Sequence, residues 1–124
     1  MQISIQSRSM VPIYEQVVDQ FQAAILQGEL QPGNAVPSVR ALARELGISA
    51  LTVKKAYDQL AQEGYLVVVQ GKGAFVAETD KELILEEHQK KVEALLEEAI
   101  DLGLQNGINR DEIRSIFDMI MEEK

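Results

Sequence analysis

Apolar residues recur at intervals of three and four along the first half of the chain, the spacing of one face of an α-helix. A first helix is predicted to begin at Pro12, which suits a first turn because its missing N–H would have no partner there, and to stop at Gly28. Ser38 and Ser49 stand where N-cap residues are expected, each ahead of a further amphipathic stretch. The predicted inward stripes are Tyr14, Val17, Val18, Phe21, Ala24 and Ile25; Val39, Leu42, Ala43 and Leu46; and Val53, Ala56, Tyr57 and Leu60.

The second and third of these helices are separated only by Gly47-Ile48-Ser49, the pattern of a helix-turn-helix. The third is predicted to stop at Gly64. The pattern then changes to a run rich in β-branched residues over 65–69, a glycine-rich turn over 71–73, and a second short run over 74–77. Two such runs predict a β-hairpin, which in this position forms a wing.

Beyond the hairpin the chain predicts two more helices. The first is long and acidic, from about Asp80 to Leu104, and Gly103 and Gly107 are predicted to break it. The second begins after Asn109, which has the spacing of a capping box with Glu112. The apolar seams of the two helices are Ile84, Val92, Leu95, Leu96, Ala99 and Leu102, then Ile113, Ile116, Phe117, Ile120 and Met121.

Together these elements predict a mostly α fold with a small β-hairpin. Residues 1–77 are assigned to a winged helix-turn-helix domain, and residues 78–124 to a C-terminal two-helix dimerisation segment. Two helices of this length do not bury both apolar seams by themselves, so we expect the same segment of a second chain to cover them. The alternative is that these helices fold back on the winged domain within one monomer.

The net charge of the chain also changes at the boundary between these two segments. The 124 residues are 46% hydrophobic, which allows a packed core, and carry a formal net charge of −8. Residues 1–77 hold six basic and six acidic side chains, whereas residues 78–124 hold six basic and fourteen acidic ones. Because salt screens exposed charges beyond about 8 Å, the acidic segment does not prevent the first domain from binding an anion.

The sequence lacks the residues that several classes of function require. There is no cysteine, so disulfides, thiolate zinc sites and cysteine nucleophiles are excluded. No phosphate loop, ligand cluster or triad is visible, so neither an enzyme nor a metal or cofactor is expected. His88 lies between acidic neighbours and is interpreted as a surface residue. Without a signal sequence or an apolar run that could span a bilayer, we expect a cytoplasmic protein without membrane contact.

The third helix has the features of one that enters the major groove of double-stranded DNA. Polar and basic side chains follow its N-terminal cap, further cations precede it, and the hairpin turn carries one more. Each has a plainer interpretation: solvated lysines, an ordinary hairpin turn, or an Arg40 that only pairs with Glu45 or with a carboxylate elsewhere. The candidate DNA contacts are Arg40, Arg44, Ser49, Ala50, Thr52, Lys54, Lys55, Gly71, Lys72 and Gly73.

Residues 28–76 resemble the winged helix-turn-helix of GntR-type regulators. The matching positions are Gly28, Leu30, Pro32-Gly33, Pro37-Ser38, Arg40, Leu42-Ala43, Leu46-Gly47-Ile48-Ser49, Thr52-Val53, Ala56-Tyr57, Leu60, Glu63-Gly64, Gly71, Gly73 and Phe75-Val76. The opening Pro12-Ile13-Tyr14-Glu15-Gln16 and the short C-terminal part look like the YtrA-type subgroup.

This resemblance implies a homodimeric, sequence-specific repressor that occludes a promoter at a near-palindromic operator, with a membrane-transporter operon as a target. It implies DNA contacts from Ser38, Arg40, Thr52, Lys54 and the wing residues Gly71 and Lys72. Where many members carry a polar residue after the capping serine, this chain has Ala50 and Leu51, which leaves methyl contact with thymine, or no base reading, at those positions.

Two questions stay open at this stage. About 47 residues follow the wing, too few for an effector cavity beside an interface, so a small-molecule effector is not expected, although a ligand at the dimer interface is not excluded. The rival to DNA binding is a winged-helix module used only for protein–protein contact.

Overall fold

The computed structural model describes residues 2–124. Its contacts divide the chain into two compact units, with the division between Lys81 and Glu82. The first unit contains α1 (Ile13–Leu26), β1 (Ala35–Val36), α2 (Val39–Leu46), α3 (Ala50–Gln62), β2 (Leu66–Val69) and β3 (Gly73–Val76), and the remaining helices are α4 (Lys81–Gln105) and α5 (Arg110–Glu122).

The N-terminal caps explain where the helices begin. Ser38 Oγ accepts the Ala41 N–H at 3.1 Å at the start of α2, and Asn109 Oδ1 accepts the Glu112 N–H at 2.9 Å at the start of α5. Both predicted caps are therefore confirmed. Pro12 differs slightly from its prediction: it is the N-cap of α1 and not its first helical residue, because its ψ of 145° is extended.

The core of the first unit lies between α1 and α3. Phe21, Ile25, Leu60, Val17 and Val53 are its largest fully buried side chains. All of them belong to the predicted inward stripes, and burial of each such side chain contributes about 1.5–3 kcal/mol of transfer free energy. This packing fixes α3, whose opposite face is left for a partner.

The sheet contains one strand more than the sequence predicted. It is antiparallel in the order β1-β3-β2, so β3 is central. β1 pairs Ala35 with Phe75 and Val36 with Ala74. Two residues are too few to show an alternating pattern, which is why the hairpin was predicted and β1 was not.

The prediction that Gly103 breaks the long helix is wrong. α4 continues to Gln105, and Gly103 is a buried residue inside it. A Cβ built at this glycine would lie 2.8 Å from Ile113 Cδ1, so α5 approaches α4 where a side chain is missing. The break comes only at Gly107, whose φ of +85° is left-handed.

The glutamines of α1 bind an N-terminal segment for which the sequence predicted no structure. Gln20 Oε1 accepts the Ser4 N–H at 2.9 Å, while Gln20 Nε2 donates to Ser4 O at 2.7 Å. Gln16 repeats the arrangement one turn earlier, with 2.8 Å from the Gln6 N–H and 3.0 Å to Gln6 O. The two side-chain amides thus pair with the backbone N–H and C=O of two alternate residues, as a neighbouring strand would.

The second unit leaves most of its apolar seams uncovered. In α4 only Ile84 and Gly103 are buried, and in α5 no residue is. Leu95 is 63% exposed, Leu102 64% and Phe117 46%. Within residues 2–124, no helix is both long and apolar enough to cross a membrane.

Candidate nucleic-acid interface

The geometry of the helix-turn-helix is set by one turn and one tie. Gly47 ends α2 in the left-handed conformation with φ +67°, and Ser49 Oγ then accepts the Thr52 N–H at 3.1 Å to start α3. The tie is Tyr57 Oη, which donates to Pro37 O at 2.7 Å and so connects the middle of α3 with the start of α2. Burial, and to a smaller extent the charge of Glu45, raises the pKa of Tyr57, so the hydroxyl stays a donor.

A groove opens between the start of α2, one face of α3 from Ala50 to Asp58, and the sheet. Its volume is about 390 Å³. Val68 of β2 and Leu51 of α3 contribute apolar surface that is 59% and 79% exposed. The full lining is Ser38, Val39, Arg40, Ala50, Leu51, Lys54, Tyr57, Asp58, Val68, Gly73 and Ala74.

Two arginines of α2 are free to contact an anion. Arg40 and Arg44 are exposed, and neither takes part in an ion pair within residues 2–124. The alternative in which Arg40 pairs with Glu45 is thus not seen in the structure. Arg40 faces the groove, whereas Arg44, in the last turn of α2, is not part of its lining.

The two lysines of α3 have partners inside the protein. Lys54 Nζ lies 2.7 Å from Asp58 Oδ2, one helical turn further along, and both side chains are 62% exposed. Lys55 Nζ lies 3.9 Å from the centroid of the Tyr14 ring, a cation–π contact with α1. The adjacent lysines therefore point to different surfaces, and only Lys54 lines the groove.

The wing turn closes the hairpin between Val69 and Gly73, which are paired across it. Gly71 has φ +81° and Gly73 has φ +112°, conformations that favour glycine, and the Lys72 N–H donates to Val69 O at 3.0 Å. Lys72 is exposed, so the turn carries one accessible cation.

Five of the candidate DNA contacts lie together in the groove: Ser38, Arg40, Ala50, Lys54 and Gly73. The other six, outside its lining, are Arg44, Ser49, Thr52, Lys55, Gly71 and Lys72. Sequence reasoning missed Asp58 and Val68. The spacing of Asp58 four residues after Lys54 could have indicated the ion pair, and strand alternation could have placed Val68 on the side of Leu66.

Residues 2–124 contain no cluster of three or more His, Cys, Asp or Glu side chains that could hold a metal ion. His88, which the sequence places at the surface, is partly exposed on α4.

A short helix, a glycine turn, a second helix and a three-stranded wing define a winged helix-turn-helix, a fold used by DNA-binding transcription regulators. Residues 13–76 match the family described as "Bacterial regulatory proteins, gntR family". The chain therefore belongs to the GntR family.

Within that family the chain is of the YtrA type. It is 36% identical to the HTH-type transcriptional repressor YtrA of Bacillus subtilis over 98 residues, covering 79% of this chain and 75% of that protein. The solved structure of YtrA from Sulfolobus acidocaldarius, a GntR-family transcription factor, is 35% identical with a TM-score of 0.58, covering 98% of this chain and 97% of that one. AraR(DBD) in complex with operator ORX1 is 34% identical with a TM-score of 0.55, covering 62% of this chain and 96% of that one.

Proposed function

We propose that this protein is a homodimeric, sequence-specific DNA-binding repressor that acts on a near-palindromic operator. The observation that carries the proposal is the groove, which unites the start of α2, one face of α3 and the wing around Arg40 and Lys54. Further support comes from the AraR domain, a relative of similar fold that was solved with operator DNA.

In this proposal α3 enters the major groove with its N-terminal half toward the bases. Ser49 and Ser38 each accept a helix N–H through Oγ, which leaves the hydroxyl proton of Ser38 available for a phosphate oxygen. Arg40 and Lys54 contribute charge, and Leu51 offers methyl groups where a thymine methyl would lie. Lys72 and its flanking glycines face the neighbouring minor groove.

The dimer is proposed from the uncovered apolar seams of the second unit. α5 buries none of its residues within the chain, and a helix with one apolar side needs a surface to cover it. A second copy supplies a matching seam, and twofold symmetry places two α3 helices about one turn of DNA apart. The interface is proposed to include Val92, Leu95, Leu96, Ala99, Leu102, Ile113, Ile116, Phe117 and Ile120, with Ile84, already buried in the single chain, at its edge.

Repression is proposed to occur by occlusion, because a dimer that covers about two half-sites excludes other proteins from the same DNA. Support comes from YtrA of Bacillus subtilis, a relative named as a transcriptional repressor. No catalytic step is part of this function.

The test begins with selection of bound sequences from a pool of random duplexes of about 30 base pairs, long enough for two half-sites. Fluorescence anisotropy then compares the selected duplex with a scrambled one. We expect preference for the selected duplex, two chains per duplex, and a symmetric selected motif.

Arg40→Ala is the matched perturbation, and Arg110→Ala, which removes an arginine from α5, is its control. We expect Arg40→Ala to lower the salt slope by about 0.9 if it contacts phosphate, or to relax one base position if it reads a base. If the protein recovers no preferred sequence and binds neither duplex at low salt, the proposal is wrong and the protein-interaction interpretation takes its place.

A further inference from the structure

A carboxylate lies inside the surface that we assign to DNA. Three charged side chains line the groove, and Asp58 is the negative one beside Arg40 and Lys54. Its Oδ2 lies 2.7 Å from Lys54 Nζ. A negative charge facing phosphates lowers affinity for any DNA, so its presence on this face calls for a compensating role.

The Lys54–Asp58 pair is accessible and weak. Both side chains are 62% exposed, and the two residues are four apart on one helix. Pairs of this kind change an equilibrium by about twofold to about fivefold. The pair thus stabilises the fold little, and its main effect falls on what Lys54 offers to a ligand.

We propose that Asp58 is a positioning residue that makes α3 discriminate between DNA sequences. While Lys54 is bonded to Asp58, the pair is neutral and attracts passing phosphates weakly. The ammonium still has N–H donors left for guanine O6 and N7, the acceptors that lysine reads in the major groove. Asp58 therefore lowers binding to random DNA and holds Lys54 for a base edge. This inference rests on the proposed function, since it requires α3 to lie in the major groove.

The test uses the full chain and two probes, the duplex recovered by selection and a mixed-sequence duplex of the same length. Asp58→Asn keeps the shape and removes the charge, while Asp58→Glu keeps the charge. Glu29→Gln is the control, because it removes an exposed carboxylate from outside the groove. Anisotropy titrations between about 50 and 200 mM salt give both affinities and their salt slopes.

For Asp58→Asn we expect binding to the mixed duplex to strengthen about two- to fivefold, with a salt slope steeper by up to about 0.9, because Lys54 becomes a free phosphate contact. Binding to the selected duplex should not strengthen, so the ratio of the two affinities falls. Asp58→Glu should keep the ratio close to that of the wild type, and Glu29→Gln should leave it unchanged.

Equal strengthening on both duplexes, or the same change in Glu29→Gln, would show that Asp58 acts only as general charge and would overturn the inference. The wild-type protein separates this failure from that of the proposed function. If it prefers the selected duplex, the function stands whatever Asp58→Asn does. If it binds neither duplex, both proposals fall.

Discussion

Tyr57→Phe tests whether a single hydroxyl holds the helix-turn-helix together. Tyr57 Oη donates to Pro37 O at 2.7 Å, and the ring packs edge-to-face on Phe21 with centroids 5.5 Å apart. Phenylalanine keeps the ring contact and removes only the hydrogen bond, which contributes about 0.5–1.5 kcal/mol net. The orphaned carbonyl adds to the loss, although water can reach exposed Pro37, so we expect the free energy of unfolding to fall by about 1–2 kcal/mol.

Urea unfolding followed by tyrosine fluorescence measures this loss in the first unit alone, because all three tyrosines, Tyr14, Tyr57 and Tyr65, lie there and two remain in the variant. Tyr14→Phe is the matched control. Its hydroxyl bonds only the neighbouring Glu15 at 3.2 Å, near the surface, so its removal should cost less than about 0.5 kcal/mol. Equal losses of unfolding free energy in the two variants would show that the Tyr57–Pro37 hydrogen bond does not hold α3 to α2.

The hydrogen bond between Tyr57 and Pro37 should also make stability depend on pH. Burial raises the pKa of Tyr57 above the value of about 10 that a tyrosine has in the unfolded chain. The stability that comes from keeping this hydroxyl neutral is fully present below that value and is lost as pH rises toward the raised pKa of the folded state. The gap in unfolding free energy between the wild type and Tyr57→Phe should therefore shrink above about pH 10. A gap that stays constant up to about pH 11 contradicts the assigned burial.

Two further predictions concern the turn and the proposed dimer. Gly47 has φ +67°, and a Cβ added there would meet open space, so Gly47→Ala should cost about 1–2 kcal/mol of backbone strain in urea unfolding. Gly47→Asn, which tolerates this conformation, should cost clearly less. If alanine is neutral there, the turn is not left-handed. Leu95→Glu places a charge on a seam residue that is 63% exposed within the chain, so it should convert a dimer to a monomer by light scattering while the helix content of the chain persists. Leu83→Glu, at an exposed apolar position outside the seam, is the control, and an unchanged mass for Leu95→Glu would remove this seam from the interface.

Much of the fold was predictable because local signals agree with it. Ser38, Ser49 and Asn109 cap the helices that they were predicted to cap, and the inward stripes of α1 and α3 form the core. These signals act within one or two helical turns, which is the range over which periodicity and capping are visible in a sequence.

What the sequence could not predict depends on residues far apart in the chain. The Tyr57–Pro37 bond spans 20 residues, and the Ser4–Gln20 pairing spans 16. The sequence predicts a break at Gly103 because a glycine that allows close helix packing cannot be distinguished by sequence from one that ends a helix. The DNA-binding groove was only partly predictable for the same reason, since Asp58 of α3 and Val68 of β2 come together only in the folded chain, where both line the groove.

The glutamine pairing at the N-terminus has a consequence for tolerance to mutation. Gln16 and Gln20 bond the backbone N–H and C=O of Ser4 and Gln6, whose own side chains are exposed. Recognition through the main chain does not depend on side-chain identity, so almost any residue is acceptable at positions 4 and 6. Proline is the exception, because it has no N–H to give. A specific residue is therefore required at positions 16 and 20, whose amides hold the segment, and not at positions 4 and 6.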